Sequence, residues 1–145
     1  MGGAVRVAGN VDAAPDAEWN LHIDPAAAAQ TFASGVPVTM IGLDVTNQAP
    51  CTSEFVSKCK AISAGSAAGK IIQESLDKMY GYFFDPVTAA FAVDPSLVTT
   101  EAMSISVAEN GKTHAGMEGQ SMNVGLALDF SRFQEMVSRA IGSSA

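Results

Sequence analysis

The stretch VPVTMIGLDV, residues 36–45, decides the predicted fold because it is a near-continuous apolar run between turn residues. A strand covered on both faces has this composition, and such strands are typical of parallel sheets. The loop TNQAPCT, residues 46–52, follows the run. In open α/β sheets, ligands bind beyond the carboxyl ends of the strands. The stretch therefore predicts an α/β fold in which a buried strand leads into a functional loop.

Capping residues and apolar spacing predict four helices around this strand. They are expected over Pro25 to Ser34, Glu54 to about Met79, Pro86 to Asp94, and Asp129 to Ile141. Asp24 and Ser53 are the predicted caps of the first two helices, and Gly65 or Gly69 can break the second. Residues 103–107 alternate apolar and polar side chains before the turn Glu109-Asn110-Gly111-Lys112, which predicts a small β-hairpin.

A single strong strand cannot form the predicted sheet alone. No second apolar run in the chain matches residues 36–45, and an unpaired buried strand promotes aggregation. We therefore expect residues 1–145 to form one domain that is an incomplete part of a larger α/β domain.

The charge and hydropathy of the chain exclude several classes of partner. A formal net charge of -7 at pH 7 argues against nucleic acid, since phosphate binding needs a basic face. No apolar run approaches the roughly 20 residues of a membrane-spanning helix. The first residues also lack the order of a signal peptide, so a cytoplasmic location is expected.

Three polar side chains near the amino terminus form the first candidate site. Asn10, Glu18 and Asn20 offer both hydrogen-bond donors and acceptors, which suits the hydroxyls of a sugar. If the backbone of AEWN, residues 17–20, is extended, Glu18 and Asn20 project to one side and Trp19 to the other. The alternative is that Asn10 belongs to a tight turn and Glu18 is only solvated.

The second candidate site is Asp85, which follows an aromatic cluster that includes Tyr80 and Phe84. The commoner role of such an aspartate is to cap the following helix beside packed rings. The functional alternative is a metal ligand or an acid in a pocket where the rings stack on a flat base.

The ordered set of motifs is similar to the second half of the nucleoside hydrolases, which cleave the N-glycosidic bond of ribonucleosides. The motifs, in order, are MGG, GNV, AEWN, DP, VPVTMIGLDVTNQ and FFDPVTAAFAVDPSL. The resemblance implies the C-terminal portion of an open, mostly parallel sheet with flanking helices and a small β-hairpin. It also implies a ribonucleoside substrate, with a preference for purines, and assembly as a homo-oligomer.

The resemblance also assigns roles to individual residues. Asn10, Glu18 and Asn20 match the family's ribose-binding residues, and Phe84 matches a residue that lines the base pocket. Asp85 matches a calcium ligand. An aromatic residue at position 84, where many members have a histidine, is more like the purine-preferring members.

One departure from the family pattern limits the expected activity. The family's aspartate cluster DxDxGxDD supplies most calcium ligands and the general base, and the sequence has no such cluster. Calcium prefers six to eight oxygen ligands, so Asp85 alone is expected to bind it weakly or not at all. The resemblance thus implies no catalytic residue in this chain, which is expected to be inactive alone. The alternative is an inactive truncated remnant that acts, if at all, by association with another chain.

Overall fold

A computed structural model describes residues 1–63, 67–79 and 81–142, and the chain divides into two compact units. Unit 1 comprises Met1–Thr46 and Val98–Ala127, and unit 2 comprises Asn47–Leu97 and Leu128–Ala145. Helices alternate with strands along the chain, and the sheet contains a parallel pair of strands, as in an α/β fold. The α/β class is confirmed, while a single domain stays a prediction.

Unit 1 is built on a four-stranded open sheet in the order β1-β4-β2-β3. The strands are β1 Thr39–Met40, β2 Val98–Val107, β3 Thr113–Ala115 and β4 Gln120–Leu128. β1 and β4 are parallel, with Met40 opposite Val124. β2 and β3 are antiparallel, with Val107 opposite Thr113, which confirms the predicted hairpin. The buried residues Met40, Ile105, Met122 and Val124 form the core of this sheet.

The predicted strand over residues 36–45 is much shorter in the structure. Only Thr39 and Met40 are in β1, and helix α3, Leu43–Thr46, replaces the end of the run. The cause lies at Gly42, where an added Cβ would be 2.4 Å from the carbonyl oxygen of Gly3. The Leu43 N–H donates to that same oxygen at 2.8 Å, so the backbone here pairs with the amino terminus instead of a sheet strand. Tertiary contact therefore overrides the apolar pattern.

Two helices precede β1 in unit 1: α1 Trp19–Ile23 and α2 Pro25–Phe32. The prediction for α2 is confirmed, since Pro25 is its first residue and Asp24 Oδ1 accepts a hydrogen bond from Ala27 N at 2.9 Å. The sequence pattern did not predict α1. It is a single five-residue helix capped by the carboxylate of Glu18, for which the sequence suggested a ligand-binding or a solvated role but not a capping one.

The helices of unit 2 are α4 Ser53–Ser63, α5 Ala67–Lys78, α6 Phe84–Val93 and α7 Phe130–Gly142, with a 3₁₀ helix at Pro95–Leu97. The single helix predicted over residues 54–79 is therefore two helices. Gly69 lies within α5, and Gly65, the other predicted break, lies outside the described residues. The predicted cap Ser53 is wrong by one position: Phe55 N donates to Thr52 Oγ1 at 3.3 Å, and Ser53 is the first residue of α4.

Aromatic side chains form the centre of unit 2. Phe83 and Phe133 are 2% and 0% exposed, and their ring centroids are 5.8 Å apart in an edge-to-face arrangement. Phe55 meets Phe83 in the same way at 5.5 Å. Such pairs contribute about 0.5–1.5 kcal/mol beyond their burial. Phe133 is the buried residue of α7, so the predicted closing helix packs into this cluster through its ring.

A small polar cluster fixes the carboxylate that follows α6. Ser96 Oγ donates to Asp94 Oδ1 at 2.6 Å, and Arg132 Nη2 donates to Asp94 Oδ2 at 2.5 Å. The hydrogen bonds from Ser96, together with the positive charge of Arg132, lower the pKa of Asp94 below its ordinary value.

Replacing Ser96 with alanine is expected to raise the pKa of Asp94 toward its ordinary value, because the largest cause of the lowering is lost. A lowered pKa stabilises the fold above the ordinary pKa, and the stabilisation disappears as the pH falls through the folded value. A ¹³C NMR pH titration of the Asp94 carboxyl measures the shift. An unchanged titration in Ser96→Ala would contradict this assignment.

No helix in the described ranges is both long enough and apolar enough to cross a membrane.

Candidate functional site

The amino terminus of α1 is where the predicted ribose-binding residues meet. Asn10 Oδ1 accepts a hydrogen bond from Trp19 N at 2.8 Å, and Glu18 Oε1 accepts one from Asn20 N at 3.0 Å. Glu18 Oε2 accepts from Leu21 N at 3.3 Å. The first N–H groups of a helix have no partner within the helix, and these two side chains satisfy them. The predicted extended backbone of AEWN is therefore wrong beyond Glu18, because Trp19 and Asn20 are helical.

The Glu18 carboxylate is buried, with 2% of the residue exposed. Besides its two contacts with α1, its Oε2 accepts a hydrogen bond from Gly3 N at 3.0 Å. Three backbone N–H groups thus surround the carboxylate, which rules out the alternative of a merely solvated Glu18. A carboxylate has about four lone-pair positions, so the remaining capacity is small and belongs to Oε1.

Asn20 is exposed and lies against the first residue of the chain. Its Nδ2 approaches Met1 O at 3.4 Å and Met1 Sδ at 3.3 Å. Because a carbonyl oxygen only accepts hydrogen bonds, the amide nitrogen of Asn20 must face Met1. The Oδ1 of Asn20 is then left as an acceptor that faces away from Met1.

The same reasoning fixes the side-chain amide of Asn10, which presents to solvent the opposite hydrogen-bonding group from that of Asn20. Its Oδ1 must face the donating Trp19 N–H, so its Nδ2 group is the one presented to solvent. The exposed amides thus offer a donor at Asn10 and an acceptor at Asn20. A hydroxyl group both donates and accepts, so this pair suits a polyol.

The loop between Asn10 and Glu18 is pinned by its backbone. Asn10 N donates to Ala17 O at 3.0 Å, and an added Cβ at Gly9 would be 2.0 Å from that same oxygen. Lys112 on the hairpin forms an ion pair with Asp16 at 2.9 Å. Glycine at position 9 is therefore required for the close approach that places Asn10 beside α1.

Phe84 and Asp85 are the first two residues of α6 in unit 2. The residue before the helix is Phe83, which makes no side-chain capping bond, so the interpretation of Asp85 as the helix cap is wrong. Phe84 meets Tyr82 edge-to-face at 5.9 Å. With Lys78, Met79, Tyr82 and Pro86, Phe84 and Asp85 line a shallow cavity of about 240 Å³. Tyr80, part of the predicted aromatic cluster, lies outside the described residues.

A calcium site needs several oxygen ligands, and Asp85 is the candidate from the sequence. Among the described residues, no three His, Cys, Asp or Glu side chains are close enough to hold a metal together. The side chains in these ranges therefore do not fit a calcium ion by themselves, and no reaction step through calcium is derived from them.

The sequence interpretation missed Asp44, a buried carboxylate that is 6% exposed. Its Oδ2 accepts a hydrogen bond from Val5 N at 2.8 Å, and its Oδ1 accepts one from Arg6 N at 2.7 Å. A signal was present, because Asp44 is the one charged residue in the apolar run VPVTMIGLDV. A buried charge without partners is costly, so such a residue predicts nearby donors.

Known proteins resemble the chain along nearly its whole length. The family model described as inosine-uridine preferring nucleoside hydrolase matches residues 1–135. An inosine-uridine preferring nucleoside hydrolase of Leishmania major is 31% identical over 159 residues, which cover 97% of this chain and 50% of that protein. A non-specific ribonucleoside hydrolase of Salmonella agona is 36% identical and covers 94% of this chain and 48% of that protein.

Solved structures also resemble the chain along nearly its whole length. A purine-preferring ribonucleoside hydrolase from Gardnerella vaginalis superimposes with a TM-score of 0.81 at 31% identity, over 99% of this chain and 51% of that one. An inosine-uridine preferring nucleoside hydrolase from Bacillus anthracis gives 0.84 at 26% identity, over 98% and 50%. The chain spans about half the length of the curated relatives that it matches.

Proposed function

The chain belongs to the inosine-uridine preferring nucleoside hydrolase family, and we propose that it supplies the ribose-binding part of a nucleoside N-ribohydrolase. The observation that carries this proposal is the opposite polarity of the two exposed amides on α1 and its flanking loop. Asn10 presents a donor and Asn20 an acceptor, and a sugar hydroxyl pairs with both.

Each matched residue has a proposed role in the complete enzyme. Asn10 donates to a ribose hydroxyl oxygen, whereas Asn20 Oδ1 and the remaining capacity of Glu18 Oε1 accept from ribose hydroxyls. Phe84 stacks on the base, which supports a purine preference, and the Gardnerella relative is named for that preference. Asp85 contributes one ligand to a calcium ion whose other ligands come from outside the described residues.

The proposed reaction breaks the bond between the base and the ribose C1′. Water adds to C1′ as the base departs, so one water proton goes to a general base and the leaving base gains a proton. Ribose acquires positive charge in the transition state, and residues that hold its hydroxyls fix the sugar while this happens. This chain's residues bind and orient, and the general base is proposed to lie outside it.

Assaying inosine hydrolysis with calcium tests this proposal. The 145-residue chain is assayed alone and mixed with a second polypeptide that carries the family's aspartate cluster. Activity only in the mixture is expected, because the binding and activating groups are divided between the two chains. Activity of the chain alone would contradict the metal-ligand argument. Inactivity of both would favour the alternative, a remnant that acts only through association.

Calorimetric titration of the chain with calcium tests the ligand count separately. Binding weaker than about millimolar is expected, since a single carboxylate falls far short of the usual six to eight oxygens. Tighter binding that Asp85→Asn abolishes would contradict the count.

A homo-oligomeric assembly and a cytoplasmic location stay predictions.

Replacing Asn10 with aspartate separates its two hydrogen-bonding roles. Aspartate keeps an acceptor for Trp19 N but removes the exposed Nδ2 donor, so the helix cap is retained. We expect the free energy of unfolding to change by less than about 0.5 kcal/mol, while ribonucleoside affinity falls about tenfold. Asn123→Asp, at an exposed position of β4, is the matched control. Unchanged affinity in Asn10→Asp would show that Asn10 does not contact the ligand.

A further inference from the structure

Four consecutive backbone N–H groups near the amino terminus donate to side-chain oxygens and not to other backbone groups. These groups belong to Gly3, Ala4, Val5 and Arg6, and their acceptors are Glu18 Oε2, Thr113 Oγ1, Asp44 Oδ2 and Asp44 Oδ1, at 3.0, 3.0, 2.8 and 2.7 Å. We call residues 3–6 the anchored segment. Its conformation is set by side chains that are distant in the sequence.

The three acceptor residues come from three different elements of unit 1. Glu18 precedes α1, Asp44 lies on α3 and Thr113 lies on β3. They are 2%, 6% and 4% exposed, respectively, so water competes little for these hydrogen bonds. The three residues therefore join the anchored segment to α1, to α3 and to the hairpin.

Thr113 makes an additional contact that fixes the direction of the segment. Its hydroxyl accepts from Ala4 N at 3.0 Å and donates to Ala4 O at 2.5 Å. Both polar groups of one residue are thus held by one hydroxyl, as a neighbouring strand would hold them. A rotation of either peptide unit would break one of the two bonds.

Along the chain, the anchored segment lies between Met1, which contacts Asn20, and the loop that carries Asn10. Met1, just before it, contacts the Nδ2 of Asn20 through its carbonyl oxygen. Gly9 and Asn10 follow it, and Asn10 contacts Trp19 N. A displacement of residues 3–6 would therefore move the group that orients Asn20 and the loop that carries Asn10.

We propose that Asp44 and Thr113 are positioning residues that hold the anchored segment and thereby set the spacing of Asn10 and Asn20 for a ribose. This inference rests on the proposed function. The oxygens of both residues accept hydrogen bonds from the backbone of the anchored segment, so their proposed role is to hold that backbone and not to contact the ligand.

Thr113→Val is the sharpest test, because valine keeps the shape of threonine and removes only the hydroxyl. Amide hydrogen exchange at Ala4 is expected to become at least about tenfold faster, since its acceptor is lost. The inosine dissociation constant, measured by NMR titration of the full chain, is expected to rise about fivefold. Thr113→Ser restores the hydroxyl and is expected to recover both values. Thr100→Val, at an exposed position of β2, is the matched control.

Asp44→Asn provides a second test at the other end of the segment. The amide keeps one acceptor and places a donor against an N–H, so exchange at Val5 or Arg6 is expected to accelerate while Ala4 stays protected. Asp12→Asn, at an exposed position of the same unit, is its control.

The outcomes separate this inference from the proposed function. Faster exchange in Thr113→Val with unchanged inosine affinity would overturn the positioning role. If the unmodified chain binds no inosine, the proposed function fails, and the side-chain amide resonance of Asn20 becomes the readout. Thr113→Val is expected to shift that resonance and Thr113→Ser to restore it, and an unmoved resonance would overturn the inference.

Discussion

Replacing Glu18 with alanine is expected to lower the free energy of unfolding by about 3–5 kcal/mol. The substitution removes the acceptor of three backbone N–H groups, those of Gly3 and Leu21 in buried hydrogen bonds and that of Asn20 in a partly buried one. Each buried donor left unsatisfied costs about 1–3 kcal/mol, and the three contributions are not fully additive. Urea denaturation followed by the fluorescence of Trp19, the chain's only tryptophan, measures the change.

Two variants control for this result. Glu18→Gln keeps one acceptor oxygen but places an amide N–H group against backbone N–H groups. An intermediate loss in the free energy of unfolding is therefore expected. Glu118→Ala removes a carboxylate at an exposed position and is expected to stay within about 0.5 kcal/mol. If Glu18→Ala costs no more than Glu118→Ala, the buried carboxylate does not organise the amino terminus of α1.

Replacing Phe133 with alanine is expected to have the second large effect, a loss of about 3–5 kcal/mol in the free energy of unfolding. The Phe133 ring is fully buried and contacts the rings of Phe83 and Phe130. Its removal opens a cavity and ends both aromatic contacts. Urea denaturation followed by far-UV circular dichroism measures the loss.

Ser131→Ala, at an exposed position on the same helix α7, is the matched control for Phe133. A change within about 0.5 kcal/mol is expected for this surface substitution. A loss below about 1 kcal/mol in Phe133→Ala would mean that the aromatic cluster does not form the core of unit 2.

The sequence predicted the elements whose signals are local. Asp24-Pro25 marked the start of α2, the turn ENGK marked the hairpin, and the apolar stripe marked α7. The strand over residues 36–45 was too long because its limit is set at Gly42 by contact with Gly3, 39 positions away. β4 was missed although Met122, Val124, Leu126 and Leu128 occupy alternate positions, the pattern that predicted a strand at residues 103–107.

The sequence predicted which residues form the candidate site but not how their side chains are arranged. The resemblance grouped Asn10, Glu18 and Asn20, and the structure links all three through the first turn of α1. The opposite polarity of the two amides depends on Trp19 N and Met1 O, which no residue spacing reveals. Asp44 and Thr113 were not singled out, because their partners are 38 to 109 positions away.

Titration of ¹⁵N-labelled chain with inosine, observed at the side-chain amides, tests the central claim most directly. The chain contains five asparagines, and Asn123, at an exposed position of β4 in the same unit, serves as the internal control. We expect the resonances of Asn10 and Asn20 to shift saturably while that of Asn123 stays unchanged. Equal shifts at all of these asparagines, or none at Asn10 and Asn20, would contradict ribose binding at the amino terminus of α1.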